Sequence, residues 1–181
     1  LVGIAFDHST MFSFSLNKFN SDNGIDDNSG FHKTIGSGFT NTAVAGFENN
    51  TCQSNDYHHV TFANVANYVN RNSDGLRGLQ FYCNTNDNTP NAQYDFTVGQ
   101  LMESGKNKGI RRYQGYELIG AGNTFSTAYS GSGNQFTNFA SYIKYFYGPD
   151  EQFPSSNGIY PPGSVTVPPF SSVSNRTCPA N

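Results

Sequence analysis

Four histidines precede residue 60: His8, His32, His58 and His59. Imidazoles beside carboxylates such as Asp7 and Asp56 are the donors that hold zinc or copper. Neighbouring residues of a strand face opposite sides, so His58 and His59 cannot both reach one ion, and solvated loop histidines are the simpler reading. Asp22, Asp26, Asp27 and Asn28 make an oxygen-rich stretch of the kind calcium takes. The bidentate glutamate that closes an EF-hand loop is missing, so no metal cofactor is expected. Organic catalysis finds no better footing. No Gly-x-Ser-x-Gly elbow occurs. Glu48, Glu103, Glu117 and Glu151 supply carboxylates, but sequence does not set the separation that glycoside hydrolysis needs. Ile35-Gly-Ser-Gly38 lacks the lysine and helix of a phosphate loop. A non-enzymatic protein is the expectation.

Tyr113, Tyr116, Tyr145 and Tyr147 lie in polar surroundings and offer ring faces on which a sugar could stack; filling a sheet core is their plainer role. The expected strand 76–83, with its polar, glycine-rich neighbours, resembles β-prism lectins. That resemblance implies a secreted, lectin-like carbohydrate-binding module as the alternative function.

Three cysteines, Cys52, Cys83 and Cys178, are an odd number, which outside the cytosol means one intrachain bridge and one thiol left over. Cys52–Cys83 is the expected bridge, because Cys178 sits in the tail. Two sequons, Asn49-Asn50-Thr51 and Asn175-Arg176-Thr177, flank Cys52 and Cys178 in loop-like sequence, so N-linked glycans on Asn49 and Asn175 are expected. Cysteines and sequons together point to an extracellular or cell-surface setting.

The elements that must carry these residues follow from composition. Among 181 residues, 13% are charged and the net charge is −3. So few cations cannot neutralise a nucleic-acid backbone or anionic lipid, so neither is an expected partner. No apolar run is long enough to span a bilayer as a helix, and mean hydropathy is −0.55. Polarity comes from 23 Asn, 19 Ser and 14 Thr, while 16 Phe and 11 Tyr outnumber the strong helix formers Leu and Ala. That balance predicts a mainly β protein with at most short helices.

Internal similarity predicts how the strands are arranged. The octet 62–69 (FANVANYV) recurs as 136–143 (FTNFASYI), and Ile35-Gly-Ser-Gly38 recurs as Ile119-Gly-Ala-Gly122. Gly3–Phe6 matches Gly78–Phe81, Phe12–Leu16 matches Tyr94–Val98, and Gly24–Phe31 matches Gly109–Tyr116, all in the same order. Two diverged copies, about 3–77 and 78–147, are expected to fuse into one pseudo-symmetric β-sandwich or β-barrel spanning 1–147. The two octets place their apolar residues at i, i+3, i+4 and i+7, which predicts one short helix in each copy. Seven of eight prolines fall between Pro149 and Pro179, so residues 148–181 should form an extended arm that contains neither a helix nor a central strand.

Low charge, Gly/Asn/Tyr/Phe richness and strand-capable ends lead to an expected function: a glycosylated structural subunit that assembles with copies of itself into a filament, coat or matrix. The expected contact residues are Val2, Ile4 and Phe6, whose alternation suits strand addition to a neighbour. A second contact is expected between the acidic pair Asp26 and Asp27 and the basic pair Arg111 and Arg112, which occupy matched loops and would pair head to tail.

Overall fold

The computed structural model describes residues 2–20, 34–43, 49–87, 94–99, 109–116, 118–126, 134–168 and 173–179. Asp26 and Asp27 lie outside the described residues. The chain is mainly β, as its composition predicts. Six strands form the largest sheet in the order β1 (Val2–Asp7), β4 (Ile35–Thr40), β7 (Phe62–Asn67), β10 (Tyr94–Val98), β12 (Asn134–Asn138) and β14 (Ile159–Tyr160). A second sheet joins β2 (Ser13–Ser15), β5 (Thr51–Gln53) and β8 (Gln80–Tyr82), and a third joins β3 (Lys18–Asn20), β6 (Asp56–His58) and β9 (Thr85–Asp87). A fourth holds β11 (Tyr113–Gln114), β13 (Ile143–Tyr145) and β15 (Val165–Thr166).

Every one of these strand pairs is parallel. The chain therefore visits one sheet, then the next, then the third, and returns to pair with itself one layer on. This is a solenoid of stacked coils, a quasi-one-dimensional arrangement in which each coil contacts its neighbours. It differs from the expected sandwich or barrel, and no closed barrel forms among the described residues. The recurring unit is one coil: Val2 pairs with Ile35, Ile35 with Phe62 and Phe62 with Tyr94. The matched octets lie on one sheet but not at one height, since Phe136 shares a level with Phe96 and Asn64. Phe12–Leu16 and Tyr94–Val98 fall on different sheets.

The expected helices are strands β7 and β12 instead. All six residues of β7 are buried, so both of its faces demand apolar or paired side chains and no alternation survives to mark it as a strand. The proline-rich segment supplies the last strands of the stack, at its edges. It contributes only one turn of 3-10 helix at Ser156–Gly158 and two-residue strands at the sheet edges. Prolines cannot donate to a ladder, and an edge is where they do least harm.

The corners make the coil possible. The second corner of successive coils carries Leu16, Ser54, Cys83 and Gly122, all with φ between 53° and 71°. Directly after them stand Asn17, Asn55, Asn84 and Asn123, and these four amides bond in a column. Asn17 Nδ2 donates to Asn55 Oδ1 at 2.9 Å, Asn55 Nδ2 to Asn84 Oδ1 at 3.1 Å, and Asn84 Nδ2 to Asn123 Oδ1 at 3.1 Å. Each oxygen also takes the backbone N–H of the Asn one coil away: Asn17 to Asn55, Asn55 to Asn84, and Asn84 to Asn123. Inside the corner, rings run from coil to coil: Phe6 on Phe39 at 5.3 Å, Phe39 on Phe81 at 5.8 Å, Phe81 on Phe96 at 5.2 Å and Phe96 on Phe136 at 5.4 Å.

Between coils three and four the second sheet is bridged by a side chain. Phe81 N donates to Gln114 Oε1 at 2.9 Å, and Gln114 Nε2 donates to the carbonyls of Leu79 and Arg111 at 3.3 and 2.8 Å. A fully buried amide thereby replaces main-chain pairing and joins β8 to the sheet of β11, β13 and β15.

Asn84 is wholly buried, and removing its side chain takes the acceptor from Asn55 N and Asn55 Nδ2, a donor from Cys52 O and one of two donors from Asn123 Oδ1. An unsatisfied buried group costs about 1–3 kcal/mol. Asn84→Ala should therefore lower the unfolding free energy by about 2–4 kcal/mol in urea. A loss below about 0.5 kcal/mol would show that the column is not structural.

Candidate functional site

The two ends of the solenoid are unlike its middle. In the first coil Val2, Ile4 and Phe6 alternate along one face of β1. Phe6 joins the core, where it stacks on Phe12 at 4.5 Å. Val2 and Ile4 stay 49% and 38% exposed. The level of Ile4 is closed further in, at buried Ser37, Asn64 and Phe96, whereas that of Val2 is buried at Phe62 and half-buried at Ile35 and Tyr94. β1 pairs with β4 along one side, and its other edge is unpaired among the described residues. Met11 and Leu16, also exposed, belong to the same coil.

At the opposite end a cleft of about 440 Å³ is lined by Phe153, Pro154, Ile159, Pro162, Val165 and Val167, among others. Ile159 and Val165 come from β14 and β15, so the cleft opens on the last coil. Its lining is largely apolar.

The tail is strapped back onto the middle of the stack. Cys83 is bonded to Cys178, and Cys52 is a buried free thiol. The expected bridge Cys52–Cys83 is thus corrected. Cys52 faces the interior of β5, whereas Cys83 occupies a corner that the tail crosses. Glu151 holds the strap: its Oε2 accepts from Gly122 N and Gly148 N at 3.1 and 3.0 Å, and its Oε1 accepts from Arg176 N. Any side chain at Gly120 would collide with that carboxylate, 1.8 Å from where a Cβ would stand. Arg176 lies over the Tyr82 ring at 4.0 Å, a cation–π contact. A disulfide fits an oxidising environment.

The remaining sequence candidates scatter. Asn49 is exposed, as a glycan acceptor must be. Asn175 is exposed too, but its amide spans Asp150, accepting from the backbone N at 3.0 Å and donating to Oδ2 at 2.7 Å. Tyr145 and Tyr147 are core residues; Asn123 Nδ2 donates to the Tyr145 hydroxyl at 3.2 Å. Burial pushes that phenol well up in pKa. Tyr116 is exposed, and Tyr113 packs on Phe146 at 5.9 Å. His8 meets Asp7 at 2.7 Å on the surface, and His58 lies 3.8 Å from Asp87. No group of three metal-ligating side chains gathers among the described residues.

Arg111 and Arg112 stand in the fourth coil beside the hairpin-like turn 71–78. Arg112 is exposed, and its N–H donates to Gly75 O at 2.8 Å. Arg71, which sequence reasoning passed over, is 7% exposed, and its Nε and Nη1 have no hydrogen-bond partner. A signal was present: all five arginines lie at or beyond residue 71 and four of them are within seven residues of another.

No family model matches the chain, and neither a curated protein nor a solved structure is similar to it.

The Cys52 thiol is pushed up to about 12, chiefly by burial, although Tyr57, Ser37 and Asn55 bond to it. It should resist thiol reagents at pH 8 in the native protein and react once per chain after unfolding. Its folded value lies above the unfolded thiol's value of about 8.5. The stabilisation is therefore complete below about pH 8.5 and is lost as pH rises toward 12, where the unfolded chain ionises first. Urea midpoints between pH 8 and 10 should fall more steeply for the wild type than for Cys52→Ser. Rapid native labelling at pH 8 would contradict this burial.

Proposed function

We propose that this protein is a non-enzymatic structural subunit of an extracellular filament, built by stacking the first coil of one copy on the last coil of the next. The observation that carries the reading is the exposure of Ile4, with Val2 beside it, at a level that Ser37, Asn64 and Phe96 hold buried further along the stack. A following copy would extend the same parallel register and cover them. The opposite end offers the apolar cleft of about 440 Å³ over Ile159 and Val165 as the receiving surface.

Such a contact joins two different surfaces. It therefore propagates into a fibre unless the rotation between copies closes a ring. The receiving edge has a built-in brake. β14 and β15 are two residues long and flanked by Pro161, Pro162 and Pro168, devices that discourage indiscriminate strand pairing. Main-chain bonds at this joint are accordingly few, and burial of apolar side chains supplies most of its stability. At about 25 cal/mol per Å², a few hundred Å² of apolar surface is worth several kcal/mol. N-linked glycans on Asn49 and Asn175 complete the proposal, and the tail disulfide supports the oxidising setting that they require.

Removing residues 1–8 would also strip Phe6 from its stack on Phe12 and Phe39. Point changes on the exposed rim are cleaner. The Val2→Lys/Ile4→Lys double variant should keep a wild-type circular-dichroism spectrum and unfolding midpoint yet remain a 19.8 kDa monomer. The wild type and a Leu118→Lys control, altered at another exposed apolar residue, should form polymers in light scattering and electron micrographs. A wild type that stays monomeric when concentrated, or a double variant that polymerises equally well, would refute the proposal.

A further inference from the structure

The tail is tied to the stack by one covalent bond and little buried surface. Of residues 173–179 only Val173 is buried; Arg176 is half-buried and the others are exposed. The strap nonetheless crosses three successive coils at one corner. In the third coil it reaches Cys83 through the disulfide, and the Tyr82 ring through Arg176. In the fourth, Gly120 N donates to Ser174 O at 2.9 Å and Gly120 O accepts from Arg176 Nε at 2.7 Å. In the fifth, Asn175 bonds Asp150 and Arg176 N donates to Glu151. The strap lies close on two glycines. A Cβ on Gly122 would stand 2.8 Å from Cys178 Sγ, and one on Gly148 would stand 2.7 Å from Asn175 Cα.

That corner is where the regular joint between coils stops. Leu16, Ser54 and Cys83 each donate a backbone N–H to a carbonyl of the next coil, at Ser54, Tyr82 and Ala121. The corresponding Gly122 N donates instead to the Glu151 carboxylate, which the strap grips through Arg176 N. We propose that the Cys83–Cys178 bond is a thiol-exchange site, a latch that a dithiol opens at Cys178 and that holds the fifth coil, and the receiving end beyond it, onto the fourth. Cys178 is exposed while Cys83 is 8% exposed, so an incoming thiolate meets the Cys178 sulfur first. The S–S bond breaks, Cys83 leaves as a thiolate and takes a proton, and a mixed disulfide forms on Cys178. The second thiol of the reductant then attacks that disulfide and frees Cys178. The protein gains two electrons and two protons, and the dithiol ends as its own disulfide. With so little apolar burial the freed strap peels away, and Glu151 loses one of the groups that position it. A reducing compartment keeps the latch open and an oxidising one closes it, so assembly waits for the extracellular setting. The assembly step rests on the end-to-end reading above; the latch itself does not.

The test uses the full chain, labelled with 15N, in the monomeric Val2→Lys/Ile4→Lys background. Dithiothreitol at pH 8, without denaturant, should reduce the bond, after which iodoacetamide labels Cys178 while Cys52 stays unlabelled. Amide exchange at Gly120, Gly122, Gly148 and Arg176 should then quicken at least tenfold, with Asn17 and Asn55 unchanged. Cys178→Ser should show the same exchange without reductant. In the chain that keeps Val2 and Ile4, reduction and Cys178→Ser should each slow polymerisation at least tenfold, and reoxidation should restore the reduced chain alone. A bond that yields to dithiothreitol only in denaturant, or four amides whose exchange ignores reduction, would overturn the latch. Equal polymerisation rates in both redox states would overturn its control of assembly. A wild type that never polymerises refutes the end-to-end reading and the assembly step with it, and the exchange rates alone then decide the latch.

Discussion

The column of asparagines through residues 17, 55, 84 and 123 is the constraint on which the rest of this structure depends. A chain that must turn the same corner coil after coil needs a left-handed residue at each turn, and three of the four here are not glycine. Such residues cost about 1 kcal/mol or more apiece. The stacked amides offset that cost by satisfying the backbone groups that the turn frees, each oxygen receiving both an amide and a main-chain N–H from the adjacent coil. Parallel pairing follows. Once the corners are superposed, every strand must run alongside its predecessor in the same direction.

From that constraint comes a molecule whose sides are finished and whose ends are not. The middle coils bury Phe81, Phe96 and Phe136 between like rings, and the strap of Cys178, Arg176 and Glu151 closes the flank of the fourth coil. The first coil leaves Ile4 uncovered at a level that later coils hold buried. Solenoids need polar caps to stay apart. An end that presents Val2 and Ile4 opposite an end that presents an open apolar cleft favours continuation of the stack.

Much of the β character was legible, because Phe, Tyr and Thr are strand residues and the scarcity of Leu and Ala excludes helical bundles. Alternation at Val2, Ile4 and Phe6 marked β1 correctly, since only one of its faces meets the core. β7 reads as a helix in sequence because burial on both faces erases the period of two, leaving Phe62, Val65, Ala66 and Val69 at a helical spacing. The coil period escaped notice for a related reason. Intervals of 38, 29 and 39 residues separate Asn17, Asn55, Asn84 and Asn123, so loops of unequal length hide a repeat that exists only in the third dimension. Asn after a corner residue was the available signal, and in a chain with 23 asparagines it is faint. The disulfide was mispaired because distance along the chain says little about a tail that doubles back across 95 residues. Arg71 escaped notice because only burial reveals its missing partner.

Fibre diffraction from aligned polymer tests the central claim most directly. Strands that stack along the filament axis at about 4.8 Å should give a meridional reflection at that spacing. A six-strand sheet continued without interruption from copy to copy should add an axial repeat of about 29 Å, six strands at that spacing. An equatorial reflection at about 4.8 Å, or an axial repeat unrelated to six coils, would contradict coil-on-coil stacking.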